Sequence, residues 1–221
     1  MKEPKCAFCK TSPCREGINA ETVLPANCPI EHFKDLIQPV AAEYKEKEFH
    51  SFYLHAALTE KEGYDEKAAR LEGRIIPLRP RIREVAEFAK KINAQTIGMA
   101  FCSGLFDEAA RASAILESHG LKIISVVCSC GSLDKTEAGI PQDFKIRNPD
   151  NFEAACNPLL QAEILNKMET SFNIIVGLCI GHDMLFTQRS KAPVTTLIVK
   201  DRFTGHNPVI SLYTRYHRHI R

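Results

Sequence analysis

Hydrophobic and polar positions divide the chain into stretches of different period. Through residues 1–30 neither a helical nor a strand period emerges. Pro4, Pro13, Pro25 and Pro29 punctuate the segment instead, so an ordinary hydrophobic core has nothing to order there. From Phe33 apolar side chains recur at helical spacing through Leu36, Ile37, Val40, Tyr44, Phe49, Phe52, Tyr53, Ala56 and Ala57. Pro39 interrupts them and suits the first turn of a second helix, so a short helix and then a long amphipathic one are expected. Arg79-Pro80-Arg81 opens a further helix, with Ile82, Val85, Ala86, Ala89 and Ile92 on one face and its end near Asn93.

Beyond residue 95 short apolar runs alternate with helical segments. Thr96 to Phe101 reads as a buried strand, Leu105 to His119 as a helix stopped by Gly120, and Lys122 to Val127 as the next strand. A loop rich in Gly, Asp, Pro and Asn follows from Ser129 to about Ala155. Asn157-Pro158 then starts a helix through Met168, Asn173 to Leu178 forms a third strand, Gly181 to Gln188 a helical turn, and Thr195 to Val199 a fourth strand. Such alternation, with β-branched strands, predicts an α/β domain built on a parallel sheet covered by helices on both faces.

Composition changes this picture little. The 221 residues, 44% apolar and 25% charged, suffice for one α/β domain and a small appendage. Lys+Arg 29 against Asp+Glu 27 leaves a formal charge of +2, without the strongly basic face that nucleic acid calls for, so nucleic acid is not an expected partner. No window approaches ~18 consecutive apolar residues, and Met1 to Cys6 carries no apolar core of a signal peptide. A cytoplasmic protein without membrane association is expected, its oligomeric state left open.

The cysteines change it more. Nine thiols, an odd number in a chain without an export signal, argue against a disulfide framework and for metal or redox chemistry. Cys102 follows the first expected strand, Cys128 and Cys130 the second, Cys179 the third, and Cys156 precedes the Asn157-Pro158 helix start. All five map to the carboxyl edge of the sheet, where sites of open α/β sheets form. Thiolates facing helix starts are stabilised there. Cys102, Cys128, Cys130 and Cys156 are therefore candidate ligands of an iron–sulfur cluster or a zinc ion, with metal-free thiol chemistry and plain burial as the alternatives.

Within Cys179-Ile180-Gly181-His182-Asp183, a thiol, an imidazole and a carboxylate gather across one turn. Cys179, His182 and Asp183 are candidate catalytic groups, unless His182 and Asp183 only start the next helix. Lys200 and Arg202 emerge after the fourth strand, followed by Gly205-His206-Asn207-Pro208. Lys200, Arg202 and His206 are the candidates for binding a small anionic substrate. Gly131, in Cys128-Ser129-Cys130-Gly131, permits a close backbone approach. No complete GxGxxG or P-loop pattern supports a nucleotide.

At the N-terminus Cys6 and Cys9 form a CxxC pair, and Cys14 and Cys28 complete four thiols in a segment otherwise unable to fold. A structural zinc ion is the expected occupant, with a cluster or redox-labile thiols as alternatives. These four cysteines, together with Cys128-Ser129-Cys130-Gly131, Ala155-Cys156-Asn157-Pro158, Gly177 to Asp183, Lys200-Asp201-Arg202 and Gly205 to Pro208, resemble a bacterial and archaeal family, domain of unknown function 1847, over essentially the whole chain. The resemblance implies zinc at the N-terminal cysteines and supplies no reaction.

The expected organisation is a cysteine-rich metal-binding segment over 1–30, a helical section over 31–94 and a parallel-sheet α/β domain over 95–221. The leading expectation for function is a metal-binding protein whose cysteine-ligated metal or iron–sulfur site serves redox or sulfur-transfer chemistry on a small molecule. A non-catalytic metal-binding or metal-sensing module is the rival.

Overall fold

The computed structural model describes residues 2–19 and 21–214. Residues 1 and 20 of the expected first segment and 215–221 of the third lie outside the described residues. The chain divides into two compact units, Met1–Leu58 and Thr59–Arg221.

In the first unit a single 3-10 turn, Cys6–Phe8, is followed by α1 (Pro13–Glu16), α2 (Pro29–His32), α3 (Lys34–Glu43) and the start of α4 (Lys47–Glu62). Proline opens both α1 and α2, where its missing N–H would lack a partner in any case. Pro39 corrects the sequence reading. It sits inside α3 and does not begin a new helix; the break comes later, at Tyr44–Glu46. As the sixth residue of a ten-residue helix it removes one i→i−4 bond, a loss confined to a short element.

The second unit begins with α5 (Glu66–Glu72), an element the apolar pattern missed. Seven residues are too few to show a period, but local chemistry marks both ends: Asp65 accepts the Ala68 amide at 3.0 Å, and Gly73 closes the helix at φ +64°. The remaining elements are α6 (Arg81–Lys91), β1 (Thr96–Phe101), α7 (Phe106–Ser118), β2 (Lys122–Val127), α8 (Pro158–Lys167), β3 (Phe172–Val176), α9 (His182–Arg189), β4 (Val194–Ile198) and α10 (Val209–Tyr213). β1 and β2 have the expected bounds, while β3 and β4 start one residue earlier and end one or two sooner than expected. The expected start of α7 at Leu105 is instead a 3-10 turn, Ser103–Leu105.

All four strands are parallel, in the order β2-β1-β3-β4. Ile97, Met99, Ala100, Ile174 and Val176 are fully buried, as strands covered on both faces require. Ser113 of α7 reaches the Met99 sulfur, and Phe88 of α6 meets Phe172 edge-on, so α6 and α7 share one face. α8 covers the other beside α9. Its Leu165 packs over Gly98, where a methyl group would overlap the Asn173 amide and come within 2.8 Å of Leu165 Cδ1. Arg81 ties the start of α6 to β4, donating to the Thr196 carbonyl at 2.8 Å and the Thr195 hydroxyl at 2.7 Å.

The long connection from β2 to α8 is clasped at Asp134. Its carboxylate accepts the Thr136 hydroxyl at 2.7 Å, the Thr136 amide at 2.9 Å and the Glu153 amide at 2.8 Å, and pairs with Lys145. Those bonds, the Thr136 hydroxyl foremost, hold the Asp134 carboxyl well below the usual carboxylate range. A depressed folded-state pKa gives stability that is complete above the ordinary value of ~3.9 and fades as pH falls below it. Asp134→Asn should therefore speed proteolysis within residues 129–155 at pH 7, and the gap from wild type should narrow below about pH 4. Equal cleavage at pH 7 would show that the clasp does not order the loop.

Candidate functional site

The path from β1 goes outward to β2 and then crosses back to β3 on the other side of β1. Strand order reverses there, so the carboxyl ends of β1 and β3 flank the crevice where open α/β sheets place their sites. Cys102 follows β1 and Cys179 lies three residues beyond β3, one on each side of that crevice. Cys128 and Cys130 follow β2, Cys156 precedes α8, and Lys200 and Arg202 follow β4.

Cys102 and Cys128 turn their sulfurs onto the backbone of one turn. Cys102 Sγ accepts the Gly104 amide at 3.5 Å and Cys128 Sγ the Ser103 amide at 3.3 Å. The Cys128 amide donates to the Phe101 carbonyl at 2.8 Å, and the Asn157 amide donates to the Cys128 carbonyl at 2.6 Å, which draws the Cys156 loop alongside. The Cys128 thiol donates to the Ser103 hydroxyl at 3.8 Å, and the Cys128 side chain is the foremost influence on the acidity of both Cys102 and Cys156. Cations reach two of the site's sulfurs: Lys200 Nζ lies 2.6 Å from Cys102 Sγ, and Arg202 Nη2 lies 2.8 Å from Cys179 Sγ.

Their surroundings divide these thiols by acidity. Cys102 is pushed up to about 12 by the Cys128 sulfur beside it and then by burial, which together outweigh the Lys200 ammonium. Cys130 is also raised, by burial first and by Cys128 second. Cys156 is lowered, because the influence of the Cys128 side chain outweighs burial and the charges of Cys179 and Cys102; Lys135 adds a weaker pull in the same direction. Of Cys102, Cys130 and Cys156, the last ionises most readily.

Gln161, on α8, holds the strand ends that carry these thiols and was not read from the sequence. It is fully buried, and its Nε2 donates to the Val126 carbonyl at 2.7 Å and the Phe101 carbonyl at 3.3 Å. Because it bonds both carbonyls at once, this one amide ties the ends of β1 and β2 together.

The other candidates are placed as follows. Gly177, at φ +68°, turns the chain out of β3, and a Cβ there would come within 2.8 Å of Leu105. The Cys179 carbonyl then accepts the His182 and Asp183 amides at 3.0 and 3.1 Å, starting α9. Asp183 accepts the Met184 amide at 2.8 Å, and His182 Nδ1 is buried without a hydrogen-bond partner. His206 Nδ1 accepts the Asp201 amide at 3.1 Å and its own amide returns to the Asp201 carbonyl at 2.8 Å, so this imidazole closes a turn.

At the N-terminus, the Cys9 amide folds back onto the Cys6 carbonyl at 3.0 Å, Cys14 sits in α1 and Cys28 occupies the cap position of α2. The Cys9 thiol is lowered by the Ser12 backbone and then by the Thr11 hydroxyl. All nine cysteines are free thiols. Among the described residues, no three His, Cys, Asp or Glu side chains are arranged as the ligand set of one ion.

The acidity order is measurable. In metal-free protein, Cys156 should alkylate with a pH midpoint below that of an ordinary thiol, about 8.5, and Cys130 with one above it. Iodoacetamide labelling across pH, read by peptide mapping, checks this; Cys130 reacting at lower pH than Cys156 would contradict it.

Comparison with known proteins agrees with the resemblance. The family described as "Protein of unknown function (DUF1847)" matches residues 28–197, a stretch that contains Cys28 and all five sheet-edge cysteines; Cys6, Cys9, Cys14, Lys200 and Arg202 lie outside it. An uncharacterized protein of Methanocaldococcus jannaschii is 39% identical over 213 residues, covering 96% of this chain and 95% of that protein. Extent and identity lead to one placement: the chain belongs to the DUF1847 family.

Proposed function

We propose that the protein is a thiol-centred metalloprotein. Its sheet-edge sulfurs hold a thiophilic metal ion or an iron–sulfur cluster, which serves redox or sulfur-transfer chemistry on a small anionic molecule. Cys6, Cys9, Cys14 and Cys28 hold a separate, structural zinc ion. The observation that carries this reading is the convergence of the Cys128 and Cys102 sulfurs on the consecutive amides of Ser103 and Gly104, with Lys200 Nζ 2.6 Å from the Cys102 sulfur.

Donor chemistry supports it. Thiolates are soft ligands that suit zinc, copper(I) and iron–sulfur clusters. Cys102, Cys128, Cys156 and Cys179 would hold the group, with Cys130 flanking them. Crowded thiols resist ionising together, as the raised Cys102 indicates, and a bound cation relieves that repulsion. Lys200 and Arg202 offset further negative charge, and a guanidinium retains donors with which to grip a carboxylate or phosphate. His182, whose Nδ1 is buried without a hydrogen-bond partner, would hold or deliver a proton in this chemistry.

One observation favours the rival module that only binds or senses metal: Lys200 and Arg202 are engaged with sulfurs, as charge balance alone would require. Measuring binding of a small anion before and after replacing both by Met separates the two readings, because the enzyme binds the anion and loses that binding on replacement, whereas the module binds none in either form.

Elemental analysis with a visible absorption spectrum, after anaerobic purification, tests the metal itself. Cys9→Ser should lose about one equivalent of zinc and expose residues 1–30 to protease. Cys128→Ser should lose the sheet-edge metal and keep that zinc. Metal content unchanged in Cys128→Ser would overturn the sheet-edge site.

A further inference from the structure

Cys102 and Cys128 are the first residues past the paired ends of neighbouring strands. The last register pair is Phe101 with Val127, and the Cys128 amide continues the ladder onto the Phe101 carbonyl at 2.8 Å. Neighbouring strands run about 4.8 Å apart. That lies inside the Cα separation of about 4.4–6.8 Å that a disulfide spans. Their sulfurs also converge, on the consecutive amides of Ser103 and Gly104. Cys102 and Cys128 are only 6% and 4% exposed, whereas Cys156, drawn alongside Cys128 by the bond from the Asn157 amide to the Cys128 carbonyl at 2.6 Å, is partly open to solvent. A buried pair within a disulfide's Cα reach at the strand spacing thus adjoins a third cysteine that outside molecules can reach.

We propose that the sheet edge is also a dithiol centre, in which Cys156 takes an oxidising equivalent from a small organic disulfide and Cys128 relays it inward to be stored as a buried Cys102–Cys128 disulfide. Cys156 thiolate attacks one sulfur of R–S–S–R, forming Cys156–S–S–R and expelling the first R–S⁻. The Cys128 sulfur then attacks Cys156 Sγ and expels the second R–S⁻, leaving a Cys128–Cys156 bridge. Cys102 finally attacks Cys128 Sγ, the bond to Cys156 breaks, and Cys156 returns as thiolate. The protons of Cys128 and Cys102 end on the two R–S⁻ groups. In sum, two protein thiols lose two electrons and one R–S–S–R becomes two R–SH. Lys200, in contact with Cys102 Sγ, stabilises that sulfur as it becomes the attacking thiolate.

The inference rests on the sulfur cluster of the proposed function and not on its metal. Because bound metal would occupy the same sulfurs, the relay belongs to the metal-free state, and oxidation would expel the ion.

The test uses the full chain, reduced and stripped of metal, treated with excess 2-hydroxyethyl disulfide, quenched with acid and mapped by mass spectrometry. A peptide pair joined through Cys102 and Cys128 is expected. Its formation should slow at least about tenfold in Cys156→Ser, and in Cys128→Ser the mixed disulfide should remain on Cys156. Only adducts, or a final bridge that omits Cys102 or Cys128, would overturn the proposal whatever the variants do. Metal content of untreated protein is measured in parallel. Absent metal with the bridge formed sinks the metal reading alone, and bound metal with no bridge after stripping sinks the relay alone.

Discussion

Parallel pairing is the constraint on which the site depends. Four strands in the order β2-β1-β3-β4 all leave the sheet at one edge, so residues as distant in sequence as Cys102, Cys128, Cys179 and Lys200 are delivered to the same place by topology. The crossover from β2 back to β3 opens the crevice between the ends of β1 and β3. Helix α8 completes the arrangement by bringing Cys156 at its approach and Gln161 one turn inside, where the amide fastens the Phe101 carbonyl just before Cys102 and the Val126 carbonyl two residues before Cys128. The Asp134 clasp plays the matching part on the loop side, since the chain returning to α8 is ordered through Thr136, Lys145 and Glu153.

Electrostatics then decides what the gathered sulfurs do. Neighbouring thiols cannot all ionise, and their surroundings sort them: Cys102 is held protonated at the buried end, while Cys156, at the more open end, is made more acidic. Lys200, Arg202 and Lys135 bring positive charge to the cluster, which fits a centre built to carry negative charge. Metal ligation and thiol–disulfide exchange draw on that same property and compete for the same atoms. A protein of this construction is expected to respond to both metal supply and redox state.

Much of this was legible in the residues. The strands β1 and β2 are bounded runs of β-branched and apolar side chains with Gly and Cys at their ends, and the sheet-edge placement of the five later cysteines followed from those bounds. Gln161 was not legible, because a glutamine on a helix reads as solvent-facing until the packing of α8 over the strand ends is known. Nor was the pairing of Lys200 with Cys102, a contact across 98 positions of sequence. Pro39 misled for a related reason: proline usually ends a helix, but α3 is short enough to carry one missing bond. The turn closed by His206 Nδ1 was not legible either, because it depends on a left-handed backbone at φ +68° that composition does not reveal.

X-ray absorption at the metal edge of the Cys9→Ser variant, loaded with zinc under anaerobic conditions, tests the central claim most directly. That substitution disables the N-terminal site, so the signal comes from the sheet edge. The account predicts three or four sulfur neighbours at about 2.3 Å. A shell of nitrogen and oxygen only, or no bound zinc, would contradict it.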